Sequence, residues 1–146
     1  MKRFLFATHG DLSKALINTV SMIIGDMPNV SYFQMTKLKS SATAKKELKE
    51  ILTDKEENDH FIVLTDMFGG SVCNICSELF MELKNFDLLT GVNLPMVLTM
   101  LLAGEEASIA DTISQGFEAA KNGIIHINEI IESQKGSVQD DITSEN

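Results

Sequence analysis

Two hydrophobic periods alternate along the chain. Short apolar runs of strand length, Arg3 to Thr8, Val30 to Met35, His60 to Thr65 and Asp87 to Val92, each give way to stretches in which apolar residues recur every three or four positions. The first such stretch carries Leu12, Ala15, Leu16, Thr19, Val20, Ile23 and Ile24, and Gly25-Asp26-Met27-Pro28-Asn29 stops it. The second places Ala44, Leu48, Ile51 and Leu52 on its inner side, with Ser40 or Ser41 as its cap, and the charged run Asp54 to Asp59 reads as a solvated connection. The third begins near Ser71 and aligns Val72, Ile75, Cys76, Leu79, Phe80 and Leu83 on one face. A short helix over Pro95 to Ala103 and a longer one over Ala107 to Asn122, with Ile109, Ile113, Phe117 and Ala120 inward, complete the helical set. Gly123 then releases Ile124 to Ile127, read as a last short strand. From Ser133 the chain is polar, acidic and without period, which predicts one domain over 1–132 and an acidic flexible tail over 133–146.

Strands separated by helices of this length predict an α/β fold: a three-layer, doubly wound, mostly parallel sheet with helices on both faces. The C-terminal strand is expected to be short and antiparallel. In such sheets the functional crevice opens at the carboxyl ends of the strands, where the strand order reverses. That rule selects Thr8-His9-Gly10 after the first strand and the run Thr65 to Ser71 after the third, with Gly91-Val92-Asn93-Leu94-Pro95 after the fourth as a further candidate.

Composition narrows the classes. With 146 residues, 44% hydrophobic and 23% charged, the chain has the makeup of one ordinary globular domain. It carries no apolar stretch of bilayer-spanning length, and Met1-Lys2-Arg3 leads into a run too short and too abruptly ended for a signal peptide, so the expected location is the cytoplasm. The net charge of -9 excludes a nucleic-acid partner, which would need clustered Lys and Arg, and fits a basic protein partner better. Cys73 and Cys76 invite a dithiol or zinc reading, but zinc needs about four ligands and no second Cys or His pair stands at a suitable spacing. Cys76 falls on the apolar stripe, with Cys73 off it, and both are read as structural residues; neither metal nor cofactor is expected.

The chemistry concentrates at two strand ends. An aspartate on a strand neighbouring a histidine can accept from one ring nitrogen, which sets the tautomer and leaves the other nitrogen's lone pair free to attack. His9 and Asp66 form that pair. Thr8, Gly69, Gly70 and Ser71 are the expected phosphoryl-binding residues, with the glycine pair and Ser71 opening a helix whose N–H groups favour an anion. Imidazole, carboxylate and anion cradle together point to a phosphohistidine. His60 and His126 are read as structural or surface residues, and Met96 and Met100 lie at helical spacing in the manner of core methionines. The single arginine, Arg3, lies at the start of the first strand, so the clamp of a histidine phosphatase cannot be built here. The acidic pair of a receiver domain and a nucleotide-binding P-loop are likewise missing.

Thr8-His9-Gly10, the segment DMFGGSVCN over 66–74 and GVNLPM over 91–96, in this order, resemble the IIA component of the mannose family of the phosphoenolpyruvate-dependent sugar phosphotransferase system. The resemblance runs over about the first 130 residues. It implies that His9 accepts a phosphoryl group from the phosphorylated histidine-containing carrier protein and passes it to a histidine of a IIB component. Asp66 would orient the ring, and Ser71 would lie beside the phosphoryl group. Membrane contact would come only through the IIC and IID components, which carry the sugar selectivity. Met67, Phe68, Leu94 and Met96 are the expected docking contacts, with loop packing as the competing reading. The resemblance also implies a homodimer with the segment Ile124 to Ile127 exchanged between subunits. Val72 stands where the family commonly has proline, and the acidic tail in place of a fused domain implies a separate IIB subunit. Two alternatives remain: the related subunit that serves dihydroxyacetone kinase, and a regulatory module of the same fold that does not relay its phosphate.

Overall fold

The computed structural model describes residues 1–144, with side-chain surroundings for residues 1–135. Its elements in chain order are β1 (Lys2–His9), α1 (Leu12–Ile24), β2 (Val30–Met35), α2 (Ser41–Thr53), β3 (His60–Thr65), α3 (Ser71–Leu83), β4 (Phe86–Thr90), α4 (Leu94–Leu102), α5 (Ile109–Asn122) and α6 (Ile127–Ser144). The four strands form one parallel sheet in the order β2-β1-β3-β4. The order reverses at β1, so β1 and β3 are neighbours whose following helices lie on opposite faces.

Alternation along the central strands builds the two cores. Leu5 and Ala7 of β1 and Phe61 and Val63 of β3 pack with α2 and α3, while Phe4, Phe6, Ile62 and Leu64 face Val20 of α1 and Met96, Val97, Met100 and Leu101 of α4. A strand buried on both sides has to be apolar throughout, which is why β1 and β3 read as near-continuous apolar runs. The helices are capped as their sequences dictate: Ser40, Asn93 and Ser108 each accept a backbone N–H from the first turn.

Five expectations change. Helix α1 turns its Ser13, Leu16, Ile17, Val20 and Ile24 side inward and leaves Leu12, Ala15, Thr19 and Ile23 exposed. The sequence carries two adjacent apolar stripes, and the buried hydroxyl of Ser13, which donates to Phe33 O at 2.8 Å, selects between them. Phe117 is half-exposed rather than inward, because Thr112 and Gly116 form the buried face of α5 and bring it close to Met100. Strand β4 stops at Thr90, where Gly91 takes a φ of 81°. Ile124 to His126 form no strand and Ile127 opens α6, so among the described residues the outer edge of β4 is left unpaired. Residues 133–144, read from the sequence as an acidic tail without period, continue α6, and residues 145–146 of that tail lie outside the described residues.

Candidate functional site

His9 ends β1 and Asp66 immediately follows β3, so the parallel pairing of β1 with β3 brings them to the same carboxyl edge. One carboxylate oxygen of Asp66 serves the histidine twice, accepting its backbone N–H at 2.9 Å and meeting its ring Nδ1 at 2.8 Å. The other oxygen accepts the Met67 N–H at 3.0 Å. Burial pushes the Asp66 carboxyl up, but the His9 backbone and ring and the Met67 N–H outweigh it and hold the carboxyl below its usual value. An ionised carboxylate only accepts, so Nδ1 carries the proton and Nε2 presents its lone pair. Nε2 faces the Ser71 hydroxyl at 3.1 Å, at the first residue of α3.

The ring lies close against Gly70. A Cβ there would stand 3.0 Å from His9 Cε1 and 3.1 Å from Met67 Cγ, although the Gly70 backbone, at φ -72°, is open to any residue. Gly70 is therefore needed for the space its missing side chain leaves. Gly69 differs: at φ 80° with nothing nearby, it turns the chain through the left-handed region. Val72, in the position where proline was expected, buries its side chain completely in the core under α3.

The expected residues fall into three groups. His9, Asp66, Gly70 and Ser71 come together, and Met67 and Phe68 stand exposed beside them, Phe68 at 86%. Leu94 is half-buried against the core below, and Met96 is buried at 3% exposure, so Met96 packs the sheet and offers no docking contact. Thr8 is also no phosphoryl contact: it is fully buried, its hydroxyl accepting the Ser13 N–H at 2.8 Å. The sequence reading missed Ser13; a serine in the phase of a buried helical stripe was the available signal.

Away from the site the other singled-out side chains have partners or burial of their own. Arg3 lies at the amino edge, donating to Asp54 O and pairing with Asp59, and His60 pairs there with Asp87 at 2.6 Å. Cys73 and Cys76 are both buried and free, and burial, with the Cys73 charge adding to it, pushes the Cys76 thiol up to about 12. A protonated core thiol is a poor nucleophile and a poor metal ligand. Among the described residues no cluster of three or more His, Cys, Asp or Glu could hold a metal ion, and no helix is long and apolar enough to cross a membrane.

Comparisons with known proteins give a family from sequence and a shared fold from structure. The family described as PTS system fructose IIA component, EIIA-man, matches residues 3–116. The PTS system mannose-specific EIIAB component of Escherichia coli is 23% identical over 121 residues, covering 82% of this chain. The chain spans only 38% of the length of that relative. The PTS system fructose-specific EIIA component of Bacillus subtilis is 26% identical over 136 residues and 93% of each chain. Phosphotransferase system component EIIA from Streptococcus agalactiae superposes with a TM-score of 0.81 at 22% identity, over 88% of this chain and 99% of that one, a likeness of fold. A match over residues 3–116, on the fold those proteins share, places this chain in the mannose family of phosphotransferase system IIA components.

Proposed function

We propose that this protein is a phosphoryl carrier, in which His9 Nε2 takes a phosphoryl group from the phosphorylated histidine-containing carrier protein and hands it to a histidine of a IIB component during sugar uptake. The observation that carries this reading is the arrangement of one imidazole between the Asp66 carboxylate on Nδ1 and the Ser71 hydroxyl at Nε2. In the first transfer the N–P bond of the carrier breaks as the His9 Nε2–P bond forms, and the carrier's imidazole leaves with its electron pair. The second transfer repeats this with His9 as the leaving group. Asp66 stabilises the positive charge that develops on the His9 ring, while the Ser71 hydroxyl and the N–H groups at the start of α3 face the transferred oxygens.

The donor set suits a relay. Neutral donors hold a phosphoryl group moderately, whereas a guanidinium clamp would hold it in a deep well and slow its departure. The only arginine is at the far edge of the sheet. His9 is exposed at a rim where Met67 and Phe68 offer apolar contacts to an incoming protein, so a second imidazole can approach in line. Service in sugar uptake, rather than to dihydroxyacetone kinase, is supported by relatives named for mannose, fructose and sorbose. We place the protein in the cytoplasm with its phosphoryl donor, touching the membrane only through IIC and IID components. A homodimer is also proposed, supported by the outer edge of β4, unpaired among the described residues, and by exposed Ile124, Ile125, Ile127, Ile130 and Ile131. The deciding experiment supplies phosphoenolpyruvate, enzyme I and the carrier protein: the wild-type chain takes acid-labile, base-stable label and passes it to a mannose-type IIB. Full labelling of His9→Ala would refute the assignment.

A further inference from the structure

The geometry points to Thr8 as a positioning residue for His9, acting with Ser13 from beneath the site; its effect on transfer rests on the carrier reading above. Helix α1 starts three residues after His9, and its own N-cap residue, Asp11, makes no side-chain cap bond. The Asp11 carboxylate instead accepts from Gln34 at 3.1 Å. A helix start leaves N–H groups without partners, and that of Ser13 is satisfied by the Thr8 hydroxyl at 2.8 Å. The same hydroxyl donates to His9 O at 3.2 Å. Ser13 Oγ in turn donates to Phe33 O on β2 at 2.8 Å, and both hydroxyl-bearing side chains are wholly buried. Thr8 thus binds the first turn of α1 on one side and the His9 peptide on the other, while Ser13 anchors that turn to the neighbouring strand.

This tie matters for chemistry because the backbone and the ring of His9 share one oxygen. Asp66 Oδ2 meets His9 N at 2.9 Å and His9 Nδ1 at 2.8 Å, so a displacement of the His9 backbone changes the bond that sets the ring's tautomer and aim. The loop is held on its far side by Gly10 N–H to Met35 O at 2.8 Å. Beside the β1–β2 ladder, Thr8 adds a side-chain hold on the His9 peptide.

Thr8→Val keeps the shape and removes the hydroxyl; Thr8→Ser keeps the hydroxyl. Two readouts are needed: nitrogen-15 shifts of the His9 ring in the unphosphorylated protein, and the kcat and KM for phosphorylation by the phosphorylated carrier protein. For Thr8→Val we expect kcat to fall about tenfold with KM unchanged and the ring shifts to move toward a mixture of tautomers. Thr8→Ser should restore both. Should Thr8→Val not fold, Ser13→Ala, which loosens the tie to β2 and keeps the Ser13 N–H, is expected to move the ring shifts in the same direction by less. Wild-type shifts and kcat in Thr8→Val, with only a lower melting temperature, would reduce Thr8 to a helix cap and overturn the proposal, as would unmoved shifts in Ser13→Ala. Moved ring shifts in a protein that takes no label even as wild type would uphold the positioning role and remove the carrier reading instead.

Discussion

His9, Asp66 and Gly70 make distinct and separable demands. Asparagine at position 66 keeps the size but can turn its amide toward the ring, donate to Nδ1 and leave the proton on Nε2, where it blocks attack. Asp66→Asn should therefore slow phosphoryl acceptance by roughly 100- to 10,000-fold, read as the initial rate of labelling. The same substitution has a pH signature. Because the folded carboxyl is held below its usual value, its contribution to stability is present above that usual value and is lost as pH falls through the lower folded one. Asp66→Asn should flatten this part of the acid limb below about pH 4, measured as urea midpoints against pH. Gly70→Ala costs nothing in backbone conformation, so its effect comes from the added Cβ against His9 Cε1 and the exposed Met67 side chain. We expect labelling to slow by about 10- to 100-fold with little change in melting temperature.

Among the elements, the Lys2 side chain is the main polar link between β1 and the α4–α5 connection. Lys2 is buried at the amino edge, and its ammonium donates to Gly104 O, to Ala107 O at 2.8 Å and to Thr112 Oγ1 at 2.9 Å. These bonds place α5 over α4 on its small-residue face, which is why Phe117 turns outward beneath Lys121. Lys2→Met keeps the apolar stem and strands three acceptors, and should cost about 2–3 kcal/mol in urea denaturation while labelling of His9 stays intact. Nothing in the local pattern singles out Lys2, since its partners lie more than 100 residues away. Helix α1 shows the same gap at the level of an element. Its periodicity established a helix, but the choice between adjacent apolar stripes came from a hydroxyl bonding across to β2.

For the molecule as a whole, the site and the exposed isoleucines occupy different elements. The hydrogen bonds to His9 come from Asp66 after β3 and Ser71 at the start of α3, whereas the isoleucines lie after α5 and at the start of α6. The double substitution Ile125→Asp with Ile130→Asp should convert a dimer to a monomer in sedimentation equilibrium, because a charge buried at an apolar contact is not solvated. The monomer should still accept label at the wild-type rate.

What the sequence determined by itself is the alternation of strands and helices, hence a parallel sheet with its crevice at the strand ends, and the chemical types gathered there. The pairing of His9 with Asp66 was legible because parallel neighbours bring their carboxyl ends together. The tertiary structure decided the rest. It turned the Thr8 hydroxyl inward, chose the core over the docking reading for Met96, and left Ile124 to His126 without a strand partner. The physical reason is common to all three. Local periodicity records which residues are apolar, whereas the direction of a side chain and the existence of a ladder depend on partners distant in sequence.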